Sequence, residues 1–200
     1  MLKMAVFISG GGTNLQSLID GCQNGTIDGQ IRLVVSNRKN AYGLERARKA
    51  SIKAEVIRNQ EKLMQRLEEE QIDFIVLAGY LAILPESLTT RYANKIINIH
   101  PSLIPSFCGP GYYGLHVHEA ALKRGVKVSG ATVHFVNEEV DGGPIILQEA
   151  VAIDDLETAE QIQLRVLEIE HRILPKAVNL YCQGKLEVKE GRVKIKWKEH

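Results

Sequence analysis

Cysteine is scarce in this chain. Cys22, Cys108 and Cys182 are three in 200 residues, far apart and without a C-x-x-C pair. That pattern excludes a disulfide scaffold and reads as free thiols in a reducing compartment. Long hydrophobic runs are missing too; none approaches the roughly 20 residues of a membrane span. The N-terminus has no long apolar stretch with a small-residue cleavage site, so no secretory signal is read there. An excess of one charge is also lacking. With 25 Lys and Arg against 24 Asp and Glu, the formal net charge is +1. No global field draws such a chain to nucleic acid or an anionic membrane. What remains is an ordinary globular composition, 44% hydrophobic and 24% charged, long enough for an ample core. These absences predict a cytoplasmic protein that binds no nucleic acid and no membrane.

Short apolar runs alternate with helical patterns in the first half, which predicts β-α-β units and a mainly parallel sheet. Strands are expected at Met4–Ile8, Ile31–Val35, Glu55–Ile57, Phe74–Ala78 and Lys95–Ile99, with Phe74–Ala78 the most apolar and central. Helices are expected at Asn14–Cys22, Leu44–Ala50, around Leu63 and Leu67, and at His116–Arg124. Val126–Val136 and Ile145–Ile153 read as two long strands flanking a turn from Glu138 to Pro144. Thr158 with Gln161 fits a capping box opening a long helix with the stripe Ile162, Val166, Ile169 and Ile173, kinked or broken at Pro175. Leu186–Val188 and Val193–Trp197 read as a terminal hairpin, its lysines guarding an edge rather than binding RNA. No repeat or linker divides the chain, so one domain is expected over 1–200.

Three constellations can carry chemistry. Ser9-Gly10-Gly11-Gly12-Thr13-Asn14 lies between a strand and a helix. There, free N–H groups and the positive helix end favour an anion, and Thr13 and Asn14 add side-chain donors. It is neither a dinucleotide fingerprint, whose third glycine would fall at Leu15, nor a Walker loop. A plain tight turn is the competing reading. Next, Asn98 and His100 share one face of an otherwise apolar strand, at the carboxyl end where open α/β sheets place ligands. Asn offers a donor to an oxyanion, and His moves a proton near neutral pH. Third, Gly142-Gly143-Pro144 makes a sharp turn that can aim Asp141 inward, where it would raise an imidazole pKa. Spacing alone does not bring Asp141 to His100. His116 and His118 diverge on a helix and make a poor metal site. Thr132 and His134 share a strand face, in the cleft or the core. No metal is expected.

Together, Ser9–Asn14, Asn98-Ile99-His100-Pro101-Ser102-Leu103, Gly130-Ala131-Thr132-Val133-His134-Phe135 and Asp141-Gly142-Gly143-Pro144-Ile145 resemble the phosphoribosylglycinamide formyltransferase family, nearly end to end. The resemblance implies a Rossmann-like, mainly parallel twisted sheet flanked by helices, with an antiparallel C-terminal extension. It implies a phosphate-binding half over 1–100 and a folate-side half with the C-terminal helix and hairpin over 101–200. The implied reaction moves the formyl group of 10-formyltetrahydrofolate, a co-substrate, to the amine of glycinamide ribonucleotide in purine biosynthesis. Asn98, His100 and Asp141 would be catalytic, with Asn98 and a protonated His100 stabilising an oxyanion. Gly12, Thr13, Asn14 and Glu170 would bind the ribonucleotide. Leu81, Ala82, Ile83 and Leu84, with Asn137, Glu138, Glu139, Val140, Asp141 and Asn98, would wall the folate pocket. A monomer or weak homodimer is expected. The competing readings are a 10-formyltetrahydrofolate hydrolase, another formyltransferase, or a nucleotide-binding module without catalysis.

Overall fold

The computed structural model describes residues 1–196. Four β-α-β steps open it. They run β1 (Leu2–Ile8), α1 (Thr13–Gln23), β2 (Gly29–Ser36), α2 (Gly43–Lys49), β3 (Lys53–Val56), α3 (Gln60–Glu69), β4 (Phe74–Leu77), α4 (Glu86–Arg91) and β5 (Ile96–His100). Then come α5 (Leu115–Arg124), β6 (Val128–Phe135), β7 (Ile145–Ala152), α6 (Ala159–Cys182), β8 (Leu186–Lys189) and β9 (Arg192–Ile195). The main sheet has the order β3-β2-β1-β4-β5-β6-β7, with β8 and β9 a separate hairpin. Pairing is parallel from β3 to β5 and antiparallel from β5 to β7. β4 sits at the centre, as its apolar run predicts.

The sheet is buried on both faces, and strand alternation sorts its side chains between two cores. Met4, Val6, Ile8, Val76, Ile97 and Ile99 face a core with Leu15, Leu18, Ile162, Val166 and Ile173 of α1 and α6. Ala5, Phe7, Ile75, Leu77 and Ile96 face a second core with Leu63, Leu67 and Leu88 of α3 and α4. Asn98 and His100, between and beyond the isoleucines of the first set, belong to the second face. No helix among the described residues is long and apolar enough to cross a membrane.

Three expectations are corrected. β3 begins at Lys53 rather than Glu55, because its register is set by β2, with Leu33 opposite Lys53 and Ser36 opposite Val56. α6 is not broken at Pro175: it continues to Cys182. An interior proline costs roughly 3 kcal/mol, but Ile173, Leu174, Ala177 and Val178 bury apolar surface on both sides of it and offset that cost. β5 includes His100 itself, paired with Thr132. The expected end of the last strand, Trp197, lies outside the described residues.

Candidate active site

The chain order reverses between β1 and β4, the point where a crevice opens beyond the strand ends. A cleft of about 1090 Å³ lies there. Every residue nominated from the sequence lines it: Gly12, Thr13, Asn14, Leu81 to Leu84, Asn98, His100, Asn137 to Asp141 and Glu170. The glycine loop leaves β1 at its floor, tied to the end of β4 by Ser9 N–H donating to Gly79 O at 3.0 Å. Asn137 to Asp141 closes the opposite wall.

Antiparallel register builds the polar centre. Asn98 pairs with His134 and His100 with Thr132, so four polar side chains share one face of β5 and β6. His134 lines the cleft, while Thr132 turns to the loop after β5, donating to Ser102 O and accepting from Ile104 N–H. Asp141 arrives from the turn after β6 with φ 56°, a left-handed conformation that Asp tolerates. Gly143 permits that turn, since a Cβ there would sit 1.7 Å from Phe135 O. The Asp141 carboxylate accepts Gly109 N–H at 2.9 Å and lies 3.6 Å from His100 Nδ1 and 3.7 Å from His134 Nε2.

The tautomers follow from the partners. His100 Nε2 meets Phe107 O at 2.9 Å and His134 Nδ1 meets Phe135 O at 2.8 Å. Carbonyls only accept, so those nitrogens carry hydrogen. The other nitrogen of each neutral ring is bare: His134 Nε2 accepts from Asn98 Nδ2 at 3.1 Å, and His100 Nδ1 faces the carboxylate. Asn98 is thereby fixed with its second N–H free. An arriving proton would convert His100 Nδ1 into a donor aimed at Asp141.

Burial, however, pushes the His100 pKa below its ordinary value, outweighing the upward pull of Asp141 and of Phe107 O. Asp141 pulls the His100 pKa upward as expected, but desolvation of a nearly buried imidazole outweighs one carboxylate at 3.6 Å. Asp141 is also desolvated, but the imidazoles of His134 and His100 and the Gly109 N–H hold its carboxyl lower than usual. The centre is thus a carboxylate between two imidazoles.

At the other end, burial pushes Glu170 up to about 7, partly opposed by a 2.7 Å hydrogen bond from Asn14 Nδ2. The expected Asn14 donor is therefore committed to Glu170, and Asn14 Oδ1 is buried without a partner among the described residues. His118 also lines the cleft, which the helical spacing of the two histidines did not reveal. It is 1% exposed, and burial with His100 nearby lowers it to about 4. His116 points away, bonded to Glu119. The signal that could have found His134 is its place in the register opposite Asn98; for His118 the sequence carries none.

The arrangement joins a glycine loop, a buried acid, an oriented amide donor and an imidazole–carboxylate pair in one cleft. That set suits acyl-type transfer to an amine. A family model described as formyl transferase matches residues 2–178. Phosphoribosylglycinamide formyltransferase of Haemophilus influenzae is 42% identical over 200 residues, covering 96% of this chain and 92% of that protein. The crystal structure of glycinamide ribonucleotide transformylase 1 from Symbiobacterium toebii superposes with a TM-score of 0.91 at 43% identity, covering 98% of this chain and 94% of that one. A formyltetrahydrofolate deformylase from Pseudomonas syringae shares the fold with a TM-score of 0.88, but at 27% identity and over 65% of its own length. The chain belongs to the formyl transferase family, in its phosphoribosylglycinamide formyltransferase branch.

Proposed function

We propose that this enzyme transfers the formyl group of 10-formyltetrahydrofolate to the amine of 5'-phosphoribosylglycinamide, giving formylglycinamide ribonucleotide and tetrahydrofolate in purine (IMP) biosynthesis. The observation that carries this reading is the convergence of Asn98, His100 and Asp141 in one cleft with the glycine loop and Glu170. The glycine loop and Thr13 take the substrate phosphate, while Glu170 and the unpartnered Asn14 Oδ1 accept from its hydroxyl or amine groups. Leu81, Ile83 and Val140 are 43%, 88% and 46% exposed at the rim, an apolar wall suited to a flat pterin ring. Ala82, Leu84, Asn137, Glu138 and Glu139 complete that wall.

In the reaction the amine nitrogen bonds to the formyl carbon, and the bond from that carbon to the folate nitrogen breaks. Asn98, oriented by His134, donates its free N–H to the developing oxyanion; one such donor is typically worth about 10²–10³ in rate. The amine must lose a proton and the folate nitrogen must gain one. His100 carries it, its imidazolium stabilised by Asp141 while charged; such acid–base help contributes about 10²–10⁴. The near-neutral charge and three unpaired cysteines support a cytoplasmic enzyme of small molecules, and a monomer or weak homodimer is part of the same proposal. The chain acts as one domain, with the phosphate loop in residues 1–100 and the Asn137–Asp141 folate wall in 101–200, while Leu81–Leu84 and Glu170 cross that division.

The test is turnover of the purified protein with both substrates, with the amine omitted in parallel and His100→Ala alongside. Amine-dependent formyl loss that falls at least about 10²-fold in the variant is expected. Formyl loss without the amine would identify a hydrolase instead. The absence of turnover with either would remove the catalytic reading altogether.

A further inference from the structure

The glycine loop is gripped from behind by α2. Gly43 N–H donates to Gly10 O at 3.1 Å, and Arg46 Nε donates to Gly11 O at 2.8 Å. A trans peptide points its C=O and the following N–H in opposite directions. Two successive carbonyls turned toward α2 therefore turn the N–H groups of Gly11 and Gly12 away from it, toward the cleft that both residues line. Among the described residues neither N–H has a protein acceptor. Gly12, at φ 72°, also packs so closely on α2 that a Cβ would come 2.6 Å from Gly43 Cα.

Arg46 is itself immobilised. Its Nη1 donates to Gln16 Oε1 on α1 at 3.2 Å, and its guanidinium stands 5.1 Å from the centre of the Tyr42 ring. It does not line the cleft, so it touches no ligand there. We propose that Arg46 is the positioning residue of the phosphate subsite: by fixing the Gly11 carbonyl toward α2 it aims the Gly12 N–H at the anion. Its charge, one peptide behind the loop, adds to the attraction. This rests on the phosphorylated substrate proposed above.

Arg46→Met and Arg46→Lys are compared with the native enzyme on glycinamide ribonucleotide, on the same compound without its phosphate, and with inorganic phosphate as inhibitor. For Arg46→Met the KM for the ribonucleotide rises about ten-fold, the loss of one charge-assisted hydrogen bond. Phosphate inhibition weakens by a similar factor, while kcat and the KM for formyl folate stay within about two-fold. On the dephosphorylated compound native and variant enzymes have equal kcat/KM. Arg46→Lys recovers part of the loss, keeping the charge and one donor. An equal loss on both compounds, a fall in kcat at constant KM, or unchanged kinetics would each overturn the proposal. Direct titration of inorganic phosphate into native and variant protein separates the two claims. If the native enzyme does not turn over, the reaction is wrong, and weaker phosphate binding in Arg46→Met still decides the role of Arg46. Should Arg46→Met fail to fold, Tyr42→Leu frees the guanidinium and reads out the same phosphate-specific loss.

Discussion

Asp141 stands between two imidazoles whose hydrogens are committed to backbone carbonyls on their far sides, so a single proton entering this group has three places to be shared. Glu170 has the opposite problem: 7% exposed, it has one hydrogen bond and, among the described residues, no cation beside it. Its carboxyl is raised from 4.5 to about 7 by burial, with Asn14 opposing. Between those values the folded chain binds more protons than the unfolded one. Stability therefore falls as pH rises through that window, and the penalty is complete above about 7. Glu170→Gln removes it. Chemical unfolding across pH 4 to 8 is expected to show the native protein losing on the order of 3 kcal/mol relative to the variant. Two parallel curves would mean that the carboxyl is not displaced. His118, lowered to about 4, acts in the reverse sense, lending stability above 6.5 that is lost as pH falls toward 4. The two curves share that background, so the difference isolates Glu170.

At the scale of elements, α6 supplies Glu170 and the longest apolar stripe in the molecule, so its ends matter. Thr158 Oγ1 accepts Gln161 N–H, and Gln161 Oε1 accepts the N–H of Thr158 and of Glu157, closing the expected capping box. Thr158→Ala leaves a helix donor unpaired and should cost about 1 kcal/mol in urea unfolding with KM values unchanged. A loss of substrate affinity instead would place the helix start in control of the Glu170 end. α2 is short, yet it sets the direction of the glycine loop through Gly43 and Arg46. β6 matters as much by register as by composition, since slipping one residue would turn His134 away from Asn98 and into the core.

Over the whole molecule, the cleft is assembled from loops after β1, β4, β5 and β6, one terminus of α5 and the middle of α6. A ligand bridging them should bind the folded chain alone and raise its melting temperature. Glycinamide ribonucleotide at 100 times its Kd adds about 2.7 kcal/mol, a shift on the order of 5–10 °C for a chain this size. Scanning calorimetry with and without it checks this, and no shift at any concentration would count against the site. Much of this architecture was legible beforehand. Strand alternation, the glycine run, the cap at Thr158 and the polar pair Asn98 and His100 are local patterns, set by neighbours two to four residues apart. The boundaries of β3 and the survival of α6 past Pro175 were not, because partner strands and core packing decided them. Nor was the meeting of Asp141 with His100 and His134, the entry of His118, or the lowered His100 pKa. Proximity across a sheet and the degree of burial are sums over the entire fold, so no window of residues contains them.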